Sequence, residues 1–187
     1  MNNPNTPQIV NGVNMDTLQE TVKAIRENPD LARSKFHIQN KWLGGGYNQS
    51  VIKSFYGAGQ EHDHQQVFAV EADEPPILAG KDQGPNPVEH LLHALASCLT
   101  SSIVYHAALR GIVIEELESQ LEGDLDLQGF MGLSQDIRKG YQSIRVKFQV
   151  KTDTENLERL KELTRFSPVF DVVSHGTAVE IEIEKKQ

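Results

Sequence analysis

The chain of 187 residues holds one cysteine and one tryptophan, and aromatic side chains make up only 6% of it. A single thiol cannot close an intrachain disulfide, so a packed core must hold the fold without covalent help. Positive charge is also scarce, with 18 Lys and Arg against 26 Asp and Glu and a formal net charge of −8. That balance argues against a nucleic-acid groove or an anionic bilayer as main partner, and leaves small molecules or proteins. No run of about 18 uninterrupted apolar residues is present, and no basic segment followed by an apolar one opens the chain. Together these absences predict a soluble, cytoplasmic protein. What is there, 38% hydrophobic and 24% charged residues, is the composition of a globular domain with an extension.

Residues 1–35 read as an N-terminal extension. Asn, Pro and Gly over residues 1–13 predict a flexible tail, and Leu18, Val22 and Ile25 recur at the spacing of a short amphipathic helix over residues 14–27. Thr17 and Glu20 fit a capping box at its start, and Asn28-Pro29 stops it. The main domain, residues 36–187, opens with short β-rich runs around Phe36 to Trp42, Val51 to Tyr56 and Val67 to Val70. Glycine turns separate them, and so does the polar Glu61-His62-Asp63-His64, so a three-stranded antiparallel meander is predicted with both histidines in a solvated loop. Four of the eight prolines fall in residues 71–87, which predicts a long exposed loop that frames a site.

Pro87 then opens a helix that continues to Leu109 and ends at Gly111. Apolar or small side chains occupy most of its circumference, so it is predicted to be the buried central helix. Two strands follow, over residues 112–122 and 141–151. The second alternates Ile144, Val146, Phe148 and Val150 with Arg145, Lys147, Gln149 and Lys151. A helix from Thr154, interrupted at Ser167-Pro168, and a closing strand over Ala178 to Glu184 complete an α+β sandwich.

Cys98, halfway along the most apolar helix, is the first candidate for chemistry. It is either a small hydrophobe filling the core or a reactive thiol, and as the latter it needs a cation or hydrogen bond from outside its own helix. His90 and His93 share that helix. A metal site with Cys98 fails on geometry, because His93 and Cys98 stand about 140° apart around the axis, and no His-x-x-x-His or Cys-x-x-Cys spacing occurs. Gly44-Gly45-Gly46 lacks the Lys-Ser/Thr of a phosphate loop and reads as a turn. Neither metal nor cofactor is predicted.

The run from Asn86-Pro87-Val88-Glu89-His90-Leu91-Leu92 through Ala94-Leu95-Ala96-Ser97-Cys98, with Ser167-Pro168-Val169 about seventy residues later, resembles the OsmC/Ohr superfamily of thiol-dependent hydroperoxide-handling proteins. The stretch from Glu122-Gly123-Asp124 through Gly129-Phe130-Met131-Gly132-Leu133 to Gly140-Tyr141 resembles a less characterised branch. The resemblance implies an OsmC-like fold in which antiparallel sheets wrap long central helices in an intertwined homodimer. It also implies that Cys98 attacks the O–O bond of an organic hydroperoxide and becomes a sulfenic acid. In the family a second cysteine then closes a disulfide, and a carboxylate and a hairpin arginine hold the first thiolate. Here Ser167 stands at the second cysteine's position and Val88 at the carboxylate's, with Glu89 one residue on, where it either replaces that carboxylate or caps the helix. No arginine follows the hairpin glycines; Tyr47, Asn48 and Gln49 do, and Lys41 and Lys53 are the nearest cations. The readings that follow are reduction of a small hydrophobic hydroperoxide through Cys98 with an external thiol as reductant, or a non-catalytic dimer that binds a hydrophobic small molecule in stress response.

Overall fold

A computed structural model of the chain describes residues 7–186. It divides into two compact units, one reaching Leu91 and the other starting at Leu92.

In the first unit, β1 (Ile9–Val10) and β2 (Val13–Asn14) form a small hairpin about Asn11 and Gly12, both at positive φ. The flexible tail predicted for residues 1–13 is therefore a hairpin from Ile9 on, and residues 1–6 lie outside the described part. Helix α1 (Met15–Glu27) follows, capped by Asn14, whose side chain accepts from the Thr17 amide. That corrects the expected Thr17 box: an Asx cap at the end of a strand precedes the threonine.

Strand β5 (Tyr47–Gly57) is the middle of the main sheet. It pairs along one edge with β3 (Lys35–Phe36) and β4 (Gln39–Gly44), and along the other with β6 (Gln60–Ala72), all antiparallel. The meander is thus as predicted, but its third strand is far longer than Val67 to Val70. Ala58 and Gly59 both take positive φ, the geometry of a two-residue hairpin turn whose twist matches the strands, so pairing resumes at once at Gln60. His62 and His64 consequently lie in β6, not in a loop, and each ring packs 5.2 Å from that of Phe55.

Helix α2 (Pro87–Ala108) starts in the first unit and supplies the core of the second. Its Ile103 and Ala107 pack with Ile112, and with Leu160 and Leu163 of α4 (Leu157–Leu163), while Ile114, Leu117, Phe148 and Val150 lean on that cluster. The last three belong to the hairpin of β7 (Glu116–Asp124) and β8 (Ser143–Lys151), joined through the short α3 (Leu127–Phe130) and paired from Glu116–Lys151 to Asp124–Ser143. In β8 Ile144, Phe148 and Val150 are half-buried opposite a charged face, as the alternation predicts, while Val146 on the same side is 37% exposed.

Three expectations need correction here. The central helix is buried on one side only: Leu95, Leu99, Ser102, Ile103 and Ala107 face the core, while Tyr105 is 49% exposed and Leu109 40%. At 22 residues it is long and apolar enough to cross a bilayer by length and composition, a property core helices share. Second, the interruption at Ser167-Pro168 is where expected, but a helix that the sequence pattern did not predict follows it. Ser167 caps a further helix, α5 (Pro168–His175), with Pro168 in its first turn, since a proline that stops one helix is suited to begin the next. Third, residues 178–184 form no strand. Val179, Ile181 and Ile183 are exposed, because the alternating pattern supplies a strand's faces but no partner ladder.

Candidate functional site around Cys98 and the start of its helix

The loop before α2 is organised by one carboxylate. Asp73 is 2% exposed, and its oxygens accept the backbone N–H groups of Glu74, Lys81 and Gln83 at 2.8, 3.1 and 3.2 Å. Burial pushes the acid's pKa up, but the amides of Gln83, Glu74 and Lys81 and the Lys81 charge outweigh it, so the carboxyl titrates below its ordinary range. Close approach leaves no room for side chains at Gly46, Gly80 and Gly84. With Gly44, Gly45, Tyr47 and Lys81 the loop frames an open cleft of ≈ 450 Å³. The Tyr47 hydroxyl donates to Glu71, and that bond, then burial and the charges of Glu71 and Asp73, hold the phenol above its usual value.

Because the folded Asp73 titrates lower than it does in an unfolded chain, its stabilisation is complete above about pH 3.9 and is lost as pH falls further. Amide exchange at Lys81 and Gln83, corrected for the intrinsic pH dependence, is expected to accelerate on acidification through that range. Protection that stays constant down to pH 2 would show that the loop does not depend on this carboxylate.

Asn86 caps α2. Its side chain accepts from the Val88 amide at 3.0 Å, and the Glu89 carboxylate accepts the Asn86 N–H at 2.8 Å, which makes a reciprocal capping box. Of the two roles open to Glu89, capping is the one the geometry displays. Nine residues of helix separate it from Cys98, about 13.5 Å of rise and half a turn, so the carboxylate does not stand beside the sulfur of its own helix. The Asn86 side chain also donates to Glu74, and His90 Nε2 lies 2.8 Å from the Glu71 carbonyl.

Cys98 is half-buried, next to Leu99 on the buried side and Ser97 and Ser101 on the exposed side. Both serine hydroxyls turn back onto helix carbonyls, Ser97 onto His93 and Ala94, and Ser101 onto Cys98 itself. Neither is free to serve the thiol. Ser167 is 1% exposed and its hydroxyl accepts the Phe170 amide, so this position is spent on capping α5. Lys41 and Lys53 are exposed residues of β4 and β5. Among the described residues no three His, Cys, Asp or Glu side chains gather to hold a metal. Sequence reasoning missed Asp73 and Asn86, although the Asn-Pro-Val-Glu spacing of a capping box was there to be read.

Comparison with known proteins completes the description. Residues 80–182 match the family described as OsmC-like protein. Among solved structures the chain is similar to an OsmC-like protein from Mycoplasma pneumoniae, at 18% identity and a TM-score of 0.56 over 75% of this chain and 88% of that one. It is also similar to an organic hydroperoxide resistance protein OsmC from Legionella pneumophila, also called a predicted redox protein, at 16% identity and a TM-score of 0.53 over 75% and 91%. A protein from Psychrobacter arcticus, named for putative osmotic stress induction and a detoxification response, aligns at 14% identity and a TM-score of 0.55 over 74% and 88%. No curated protein sequence matches. At these identities the structural likeness shows the fold.

Proposed function

The chain belongs to the OsmC-like protein family, and from that premise we propose that it reduces organic hydroperoxides with a single reactive cysteine. The observation that carries the reading is the placement of Cys98, the only thiol in the sequence, half-buried on α2 rather than sealed in the core. Its thiolate attacks the outer oxygen of R–O–O–H, the O–O bond breaks, and the departing alkoxide takes a proton to leave as the alcohol, with the sulfur oxidised to sulfenic acid. With Ser167 unable to form a disulfide, an external thiol condenses with the sulfenic acid and releases water. A second external thiol then frees Cys98 and leaves as the oxidised disulfide.

The protein acts as a homodimer in this reading. A second copy covers the exposed stripe of Tyr105 and Leu109 on α2. A packing-only role for Cys98, in a dimer that binds a hydrophobic molecule, is favoured by one observation, the commitment of Ser167 to capping α5.

The two readings part on trapping. After stoichiometric cumene hydroperoxide, a dimedone adduct mapped by mass spectrometry is expected on Cys98, and thiol-dependent consumption of peroxide is expected to vanish in Cys98→Ser. A protein that forms no adduct and consumes no peroxide would leave only the binding reading.

A further inference from the structure

In the second unit three side chains converge on a single ring. The His106 imidazole lies over Phe166 with centroids 4.1 Å apart and planes inclined by 23°. The guanidinium carbons of Arg110 and Arg165 sit 5.5 and 5.1 Å from the same ring centroid. Arg110 Nη1 donates to the His106 carbonyl at 2.9 Å and approaches His106 Nδ1 at 3.2 Å. Arginine has no acceptor to offer, so Nδ1 must be the accepting nitrogen and the ring proton sits on Nε2. Burial and then the Arg110 charge hold the imidazole below its ordinary pKa, which keeps it a neutral donor at pH 7.

The cluster is notable for what faces the two cations. Among the described residues no carboxylate stands within ion-pair distance of Arg110 or Arg165, as is also true of Arg26, Arg138 and Arg159; what sets the pair apart is that both border one aromatic ring. In a chain with eight more acidic than basic residues, two guanidiniums are held against one ring with no carboxylate of the described residues in direct contact. A guanidinium presents its N–H groups as a fork that matches two oxygens of a carboxylate or phosphate, and two such forks border one ring here. Phe166, 39% exposed, adds an apolar surface beside that fork.

We propose that His106, Arg110, Arg165 and Phe166 form a binding site for a small oxyanion, a carboxylate or phosphate group, that bridges the two guanidiniums. The ligand's oxygens take N–H donors from Arg165 and from the free nitrogens of Arg110, and the rest of the ligand lies against the exposed part of the Phe166 ring. The site is independent of the thiol chemistry and stands whether or not Cys98 reduces peroxides.

The test is a titration of the full chain with benzoate and, separately, inorganic phosphate, at ionic strength fixed with chloride, following the His106 ring proton resonances by NMR. A saturable shift is expected, weakened about tenfold or more in Arg165→Gln and in Arg110→Gln, and retained in part by Arg165→Lys, which keeps the charge without the fork. Both arginines are exposed, so these variants are expected to fold. Tighter binding of benzoate than of phosphate would identify a carboxylate with an apolar body, and the reverse order a phosphate group. A shift that follows ionic strength instead of either probe, or one unchanged in the Arg110→Gln/Arg165→Gln double variant, overturns the proposal.

Discussion

Gly80→Ala is expected to destabilise the protein by about 2–4 kcal/mol, a large effect for one methyl group. A β-carbon at this position would lie 1.7 Å from the Glu74 carbonyl oxygen and 2.3 Å from its carbon. Both are backbone atoms, so no side chain can swing away. Relief requires the two strands of the loop to separate, and the neighbouring Lys81 amide is one of the three donors that hold Asp73. The strain therefore reaches the carboxylate that organises the approach to α2. Urea unfolding of the variant beside the parent protein measures the change. An unaltered midpoint would mean that the loop is far more pliable than its contacts imply.

Leu160→Ala is expected to cost a similar or larger amount, about 2–5 kcal/mol, by leaving a cavity in the core of the second unit. Leu160 is buried among Ile103, Ala107, Ile112 and Leu163, side chains drawn from three separate stretches of chain, so no single element can settle into the gap. Leu157, one turn earlier on α4 and 44% exposed against 3% for Leu160, is the matched control, expected to lose less than about 1 kcal/mol on the same truncation. Comparable losses at the two positions, read from denaturant midpoints, would count against this core.

The readable parts of the sequence were those where one local rule decided the outcome. Pro87 and Gly111 bracket α2 because a proline lacks the N–H that a first helical turn leaves unpaired, and Gly111 takes the left-handed conformation, at φ 68°. The charged face of β8, and the packing of Ile144, Phe148 and Val150 opposite it, followed from alternation, although Val146 on that side stays exposed. Where two rules competed, the sequence misled. The acidic, His-rich stretch at residues 61–64 looks like a loop by polarity, yet the tight turn at Ala58-Gly59 carries pairing straight into it, and Phe55 gives its histidines an aromatic surface. Ser167-Pro168 contains both a stop and a start, and only the cap to Phe170 shows that the start prevails. At the candidate site the thiol was legible as a residue type, but the cap formed by Asn86 and Glu89 and the amides closing on Asp73 depend on how a long loop folds back, which no periodicity encodes.

The segment that follows α5 has a further consequence. Val179, Ile181 and Ile183 alternate with Glu180, Glu182 and Glu184 on a stretch with no ladder of its own, and among the described residues no strand pairs with either outer edge of the β7–β8 ribbon. Such a combination is the raw material of cross-β stacking. Identical tails laid in register would bring three like charges directly over three others in every layer, a repulsion that opposes such stacking while the carboxylates are ionised.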